Sequence, residues 1–369
     1  MLIGIDARPL LPPLTGIGRY LLGFLETLQR KDAENRYFLF CHQSPGFPVF
    51  NSRWRVVHGG RKRRLQANAW FQTAVPRHVR RLDLDLFWAP RHHLPLGLPR
   101  RTASLVTVHD LVHRRHPGTM SIPNLLLERL LMGPSLRRAD RVTTVSRATE
   151  RELLRFYPRT RGKVRTVSPG IPAFPAETRN VALPPVPYFL AVGTLEPRKN
   201  LARVIEALRG METGGKPVHL AVVGGGGWKR RTLNASLRES PGETRRIHAL
   251  GYVPRSALPA LYRNAVALVF PSLYEGFGFP ILEAMSLGTP VITSDRSSMP
   301  EVGGRAALTV DPFRIDSIRR AMERLLNSSE RERYARLGWN RAEDFSWDRS
   351  AARMLALFHE TAGRKATRE

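Results

Sequence analysis

Short apolar strands alternating with amphipathic helices, a glycine loop after the first strand, and a second round of the same cycle beyond a proline-rich stretch predict an α/β protein of two doubly wound, Rossmann-like domains. The 369 residues suffice for two separate cores. A ligand is then expected where the carboxyl edges of the two sheets face a central cleft.

The first cycle opens with Leu2-Ile3-Gly4-Ile5-Asp6 as a short buried strand, and Pro12-Pro13 with Thr15-Gly16-Ile17-Gly18 makes the loop after it. From Arg19 to Gln29 the apolar residues Tyr20, Leu21, Phe24, Leu25 and Leu28 recur at helical spacing. Strand, glycine loop and helix repeat the layout in which backbone N–H groups meet phosphate. Residues 37–40, 86–88, 103–108 and 142–145 read as further strands, and the helical patterns between several of them require parallel pairing. From Ser168-Pro169-Gly170 to Pro184-Pro185-Val186-Pro187 the chain is dense in proline and poor in periodicity, which marks a linker. The second cycle runs through strand 188–193, helix 201–209, strand 219–223, a glycine run at 224–227, strand 265–270, helix 280–287 and strand 291–293. Helical patterns at 315–326, 330–343 and 350–361 finish it. The expected organisation is a first domain at 1–175, a linker at 176–187, a second domain at 188–345, and a segment at 346–369 that crosses back onto the first domain.

Composition is that of an ordinary globular chain, 42% hydrophobic and 24% charged. Runs of about eighteen uncharged apolar residues are absent and the N-terminus lacks a signal-peptide layout, so a cytoplasmic protein without a membrane span is expected. The single Cys41 excludes an intramolecular disulfide and a cysteine-rich metal site. Net charge is the anomaly, +28, and such a field attracts polyanions. The arginines are densest at Arg61-Lys62-Arg63-Arg64, with Arg53 and Arg55 upstream, at 77–81, at 91–101, at Arg114-Arg115 and at Arg137-Arg138, all in the first half. A solubilising surface accounts for many of them; their concentration in one domain favours an anionic acceptor or an anionic membrane surface as partner. No basic helix with interleaved aromatics and no nucleic-acid module is present, so a specific nucleic-acid partner is not expected.

Chemistry concentrates in Glu275-Gly276-Phe277-Gly278-Phe279-Pro280-Ile281-Leu282-Glu283, where two carboxylates stand eight residues apart across a glycine loop entering a helix. The apolar run before it suits a strand buried on both faces, and Pro280 suits a first helical position. Free N–H groups around 277–282 then face an oxygen-rich ligand. Carboxylates accept hydrogen bonds, so a sugar hydroxyl and a ribose hydroxyl are natural partners for Glu275 and Glu283. Taken singly, Glu283 reads better as an early-turn acid favoured by the helix dipole, and Glu275 reads also as a solvated loop residue. Gly276 and Gly278, bracketing an aromatic where a backbone can approach a ligand, tip the balance towards binding.

Six pieces in order carry a family resemblance over nearly the whole chain: Thr15-Gly16-Ile17-Gly18-Arg19-Tyr20, Thr107-Val108-His109-Asp110-Leu111, Thr143-Thr144-Val145-Ser146, Gly193-Thr194-Leu195-Glu196-Pro197-Arg198-Lys199-Asn200, Leu250-Gly251-Tyr252-Val253, and the 275–283 motif. The sequence resembles the retaining glycosyltransferases of the GT-B fold, family 4. The first, second and fourth pieces are similar to those of bacterial mannosyltransferases that build surface polysaccharide from GDP-mannose. The resemblance implies a nucleotide-sugar donor and a saccharide or polyprenyl-linked acceptor, and the basic first domain adds the expectation of peripheral attachment to the inner face of the cytoplasmic membrane, near such an acceptor. It assigns Arg198 and Lys199 to the donor diphosphate, which their charges would stabilise as leaving group. Gly16 and Gly18 would let the backbone approach the same group, a tight turn being the alternative. His109, at a strand's carboxyl end, would contact the donor sugar; otherwise it hydrogen-bonds Asp110 or a nearby carbonyl. Glu275, with the amides of Phe277, Gly278 and Phe279, would hold the sugar, Glu283 would bind the ribose, Leu282 would belong to the donor site, and Gly251, Tyr252 and Val253 would surround the base. Two departures stand out: Thr194 where many relatives have arginine, and Ser168-Pro169-Gly170 in place of Pro-Asn-Gly.

Retention, implied by the resemblance, without an obvious covalent nucleophile points to same-face attack, with the acceptor proton passing to a phosphate oxygen. No cofactor and no metal are expected. Asp83-Leu84-Asp85 imitates a metal-binding Asp-x-Asp pair, but its alternation fits a strand start better, and His92-His93 point to opposite sides if extended. The competing readings are a UDP- or dTDP-sugar donor, an epimerase or phosphorolytic enzyme on the same architecture, and, remotely, a nucleic-acid-binding protein.

Overall fold

β1 (Leu2–Asp6) is apolar because it lies inside a sheet, between β2 (Arg36–Cys41) and β4 (Leu86–Ala89), with Ile3 opposite Tyr37 on one side and Leu86 on the other. The computed structural model describes residues 1–45, 51–59, 64–175, 182–215, 217–225 and 246–366. The chain divides into two units, Met1–His113 with Ile122–Gly170 and Ser346–Glu369, and Arg114–Ser121 with Ile171–Phe345. The arginine cluster at 61–63, the glycines 226–227 and linker positions 176–181 lie outside the described residues.

Unit 1 is a parallel seven-stranded sheet in the order β3-β2-β1-β4-β5-β6-β7, completed by β3 (Trp54–His58), β5 (Ala103–Val108), β6 (Arg141–Thr144) and β7 (Val164–Thr166). Its helices are α1 (Gly16–Lys31), α2 (Arg64–Arg81), α3 (Val112–Arg115, of which Arg114 and Arg115 fall in unit 2), α4 (Ile122–Arg138) and α5 (Arg147–Phe156). Phe40, Phe71, Phe87, Val106 and Leu153 form part of one buried cluster, each such side chain contributing about 1.5–3 kcal/mol.

Unit 2 repeats the order as β10-β9-β8-β11-β12-β13, with β8 (Tyr188–Val192), β9 (His219–Val223), β10 (Ile247–Gly251), β11 (Leu268–Phe270), β12 (Val291–Ser294) and β13 (Ala307–Val310). Its helices are α6 (Leu201–Arg209), α7 (Leu258–Arg263), α8 (Phe279–Ser286), α9 (Met299–Gly303), α10 (Ile315–Leu325) and α11 (Ser328–Ala342). The chain's last helix, α12 (Trp347–Ala366), belongs to unit 1, where Trp347 meets the edges of Phe24 and Tyr20 at ring distances of 5.2 and 6.4 Å. Ser350 Oγ donates to Ser168 O at 2.6 Å, and Glu360 pairs with Arg141 at 2.7 Å.

The structure corrects three expectations. Gly16 and Gly18 are not a loop: α1 begins at Gly16, because Thr15 caps it in an extended conformation and its carbonyl accepts the Arg19 N–H at 2.9 Å. Gly18 is required by packing, since a Cβ there would lie 2.5 Å from Pro9 O. The run 265–270 yields a strand only at its end, Leu268–Phe270, although the Val266 N–H still donates to Tyr188 O. His92 and His93 do not point apart, because the chain after β4 is not extended there; both rings converge on Glu128 of α4.

Candidate active site

In both sheets the strand order reverses once, between β1 and β4 and between β8 and β11, and an open parallel sheet leaves its crevice at that reversal, outside the carboxyl ends. In unit 2 the chain leaves β8 through Gly193, whose N–H donates to Val223 O at 2.9 Å, and turns through Pro197–Lys199 into α6. Asn200 closes the turn in a left-handed conformation, φ +63°. Its buried side-chain amide lies 3.1 Å from Pro271 O and 2.6 Å from Pro312 O, tying the turn after β8 to the segment after β11.

That tether sets two cations against one acid. Arg198 Nη1 lies 3.0 Å from Glu275 Oε2, and Lys199 Nζ lies 2.6 Å from Oε1. Arg198 also reaches Glu196 at 3.1 Å and donates to Tyr274 O. Ser297 Oγ donates to Glu275 O at 2.5 Å, and Ser298 Oγ stands 3.0 Å from Glu275 O and 2.8 Å from Phe277 O. Burial pushes the Glu275 carboxyl up, but the Arg198 and Lys199 charges outweigh it and bring it from 4.5 down to about 2. Glu275 is therefore ionised at neutral pH, an acceptor of hydrogen bonds and not a proton donor.

Gly278, at φ +106°, turns the chain into α8, a conformation that a side chain would strain. Phe277 is buried, Phe279 opens the helix one residue ahead of Pro280, and first-turn N–H groups lack intrahelical acceptors. Leu282 and Glu283 are both fully buried. Glu283 accepts from Arg255 Nη1 at 2.8 Å and from the Tyr262 hydroxyl at 3.0 Å. Arg255 is itself held by Pro172 O and Ala173 O, at 2.7 and 2.8 Å, over the Phe174 ring. The acids thus occupy separate settings, Glu275 with Arg198 and Lys199, Glu283 with Arg255 and Tyr262. At the end of β10, Gly251 (φ +64°) accepts from Gly224 N–H at 2.8 Å, Val253 is buried and the Tyr252 side chain is 72% exposed.

In unit 1 His109 follows β5. Its Nε2–H donates to Pro90 O at 2.7 Å, which leaves Nδ1 as the ring's acceptor. The Tyr20 ring meets it edge-on at 4.7 Å. Burial, with the His92 charge adding to it, lowers His109 from 6.5 to about 4, so the ring is neutral at pH 7. Asp110 accepts the Val112 N–H at 3.1 Å. A cavity of about 230 Å³ near the ends of β1 and β4 is lined by Arg8, Asn68, Gln72, Arg91, His93 and Leu131, among others. Asp83 pairs with Arg101 at 3.0 Å and Asp85 accepts the Leu2 N–H at 2.7 Å, so this Asp-x-Asp serves the strand start. Among the described residues no group of three His, Cys, Asp or Glu side chains is placed to hold a metal ion.

Sequence reasoning missed Arg255, Tyr262, Ser297, Ser298 and Glu128. Of these only Ser297-Ser298, just ahead of Met299-Pro300, carried a local signal, that of a helix start.

Residues 14–173 match the family model Glycosyltransferase Family 4, and residues 177–343 match Glycosyl transferases group 1. The chain is 33% identical to O-antigen chain mannosyltransferase B of Escherichia coli, over 97% of this chain and 99% of that one. It is 28% identical to O-antigen chain mannosyltransferase RfbU of Salmonella typhimurium, over 81% and 83%. Among solved structures it is similar to a sucrose-phosphate synthase of Thermosynechococcus elongatus, with a TM-score of 0.75, 21% identity and 98% of each chain covered, a likeness of fold.

Proposed function

The chain belongs to the family 4 glycosyltransferases of GT-B fold, and from that premise we propose that it transfers mannose from GDP-mannose, with retention, to a saccharide or lipid-linked saccharide of a growing surface polysaccharide. The observation that carries the reading is the Arg198–Lys199–Glu275 cluster at the β8/β11 crevice. A donor diphosphate takes over the two cations, and Glu275, freed of them, accepts hydrogen bonds from sugar hydroxyls. The amides of Phe277, Gly278 and Phe279 face the same ligand, Glu283 exchanges its Arg255 contact for the ribose, and Gly251, Tyr252 and Val253 border the base. The mannose is supported by the O-antigen relatives, the guanine by motif likeness alone.

Near pH 7 neither group is a general acid, Glu275 being ionised and the one N–H of neutral His109 being held by Pro90 O. The acceptor hydroxyl therefore attacks the anomeric carbon as the bond to the diphosphate breaks, and its proton goes to the departing phosphate oxygen. Arg198 and Lys199 balance the charge that develops there, and neutral His109 accepts a sugar hydroxyl at Nδ1. Two side-chain cations do this work in place of a divalent ion, so EDTA leaves transfer unchanged. On the acceptor side, the cavity beside His93 offers arginine and carboxamide groups against Leu131, a lining suited to a sugar.

Peripheral attachment to an anionic membrane has support on α4, where Ile122, Leu126 and Leu130 are 70, 52 and 68% exposed at helical spacing, with Arg129 and Arg137 also exposed. Among the described residues no helix is long and apolar enough to cross a membrane. Leu126→Glu with Leu130→Glu should weaken sedimentation with anionic vesicles, most of all at about 0.15 M salt, and spare donor binding; unchanged sedimentation removes α4 from this role.

The deciding experiment is a donor panel, GDP-mannose against UDP- and dTDP-sugars, scored by binding and slow hydrolysis. Preference for a UDP- or dTDP-sugar overturns the donor, and binding of none overturns the reading.

A further inference from the structure

His92 and Glu128 have no part in that chemistry, yet His92 is buried next to His109 and the partly buried Glu128 meets His92 from α4. The His109 N–H donates to His92 Nε2 at 3.1 Å, so His92 carries its proton on Nδ1, which donates to Glu128 Oε2 at 3.0 Å. His93 Nε2 meets the same Oε2 at 3.1 Å. Pro90, two residues before His92, supplies the carbonyl that holds the His109 ring. The loop after β4 thus fixes residue 109 through both main chain and ring, while Glu128, reaching in from α4, fixes the loop. Thr149 Oγ1 completes the setting by donating to His109 O at 3.2 Å.

We infer that His92 and Glu128 are positioning residues for His109, a relay that aims its Nδ1 at the donor sugar. The inference rests on the reading of His109 as a sugar contact. It carries a pH signature, because an imidazolium has no lone pair and a protonated His92 cannot accept the His109 N–H. The groups facing His92 are Glu128 from α4, Asp110 and His109 from the loop after β5, and Arg91 and His93 from its own loop. Burial lowers the His92 pKa, and the Glu128 charge and hydrogen bond more than offset it, leaving it above 6.5. Acidification through that raised value breaks the relay.

Three variants of the full-length protein test this, with thermal melting as the check on folding. His92→Leu removes the acceptor and should lower kcat about 10²-fold with the donor KM unchanged. His92→Gln keeps an acceptor near Nε2 and should recover much of that loss. Both rings meet a single carboxylate oxygen, so the carbonyl of Glu128→Gln can take its place while removing the charge. That variant should stay folded and shift the acid limb of kcat to lower pH, on the order of one unit. Wild-type kcat in His92→Leu, or an acid limb that Glu128→Gln does not move, overturns the relay. Nitrogen-15 NMR of the histidines reads the His92 tautomer without any turnover. A His92 protonated on Nε2 at pH 8 overturns the relay by itself, whereas an Nδ1–H tautomer in a protein inert towards every donor leaves the wiring standing and removes the functional reading.

Discussion

At the scale of single residues the outcome turns on Glu275, whose carboxylate is shared by Arg198 and Lys199. Lys199→Ala should reduce transfer by roughly 10²–10³-fold, because a charge aimed at the leaving group is lost, and Glu275→Ala should do the same from the sugar side. Both are measured as kcat with the melting temperature alongside; wild-type turnover in either folded variant removes that residue from the site. Glu275 also governs acid stability. Its pKa falls from 4.5 when unfolded to about 2 when folded, so it stabilises the fold above pH 4.5 and that contribution fades as the pH drops towards 2. The difference corresponds to about 3 kcal/mol. Glu275→Gln should therefore melt lower at pH 7 and lose less than wild type between pH 4.5 and 2. Parallel melting curves against pH would show that the carboxylate does not stabilise the fold in this way.

At the scale of elements, α12 is seated on unit 1 by Trp347, against which Gly23 of α1 packs so closely that a Cβ would lie 2.3 Å from the indole. Gly23→Ala should cost about 1–3 kcal/mol in urea unfolding, and most of that should vanish in a Trp347→Ala background. Additive losses would contradict the contact. Elements differ in how plainly the sequence announces them. Helix 201–209 is read with its observed bounds, as is strand 103–108, because the strand is interior to the sheet, buried throughout and mostly apolar. The four strands that escape, β3, β7, β10 and β13, are the edge strands of the two sheets. An edge strand has one neighbour, and β3 (Trp-Arg-Val-Val-His) and β10 (Ile-His-Ala-Leu-Gly) are only partly buried, so no continuous apolar run betrays them. The site divides similarly. Arg198, Lys199 and Glu275 are legible because short motifs contain them, whereas Arg255 beside Glu283 and Glu128 beneath His92 depend on contacts 28 and 36 residues distant, which no local pattern encodes.

At the scale of the whole molecule, net charge makes two opposed demands. A chain with a formal charge of +28 repels itself when folded, and it is drawn to any anionic surface. The ion pairs within it, such as Arg324 with Glu330 and Arg341 with Asp344, leave that excess untouched, because each joins one charge of either sign. Salt screens both effects: the Debye length contracts from about 30 Å at 0.01 M to about 8 Å at 0.15 M, shorter than the spacing of many like charges on a protein of this size. Raising sodium chloride over that range should therefore raise the melting temperature and, in the same samples, weaken sedimentation with vesicles containing anionic lipid. The apolar stripe of α4 alters the second response, because burial of Ile122, Leu126 and Leu130 is insensitive to screening and should leave a salt-resistant residue of binding. Leu126→Glu with Leu130→Glu removes that residue while the rise in melting temperature persists. A melting temperature that falls with salt would mean that local ion pairs outweigh global repulsion, and vesicle binding that salt abolishes completely in the wild type would mean that charge alone holds the protein to the surface.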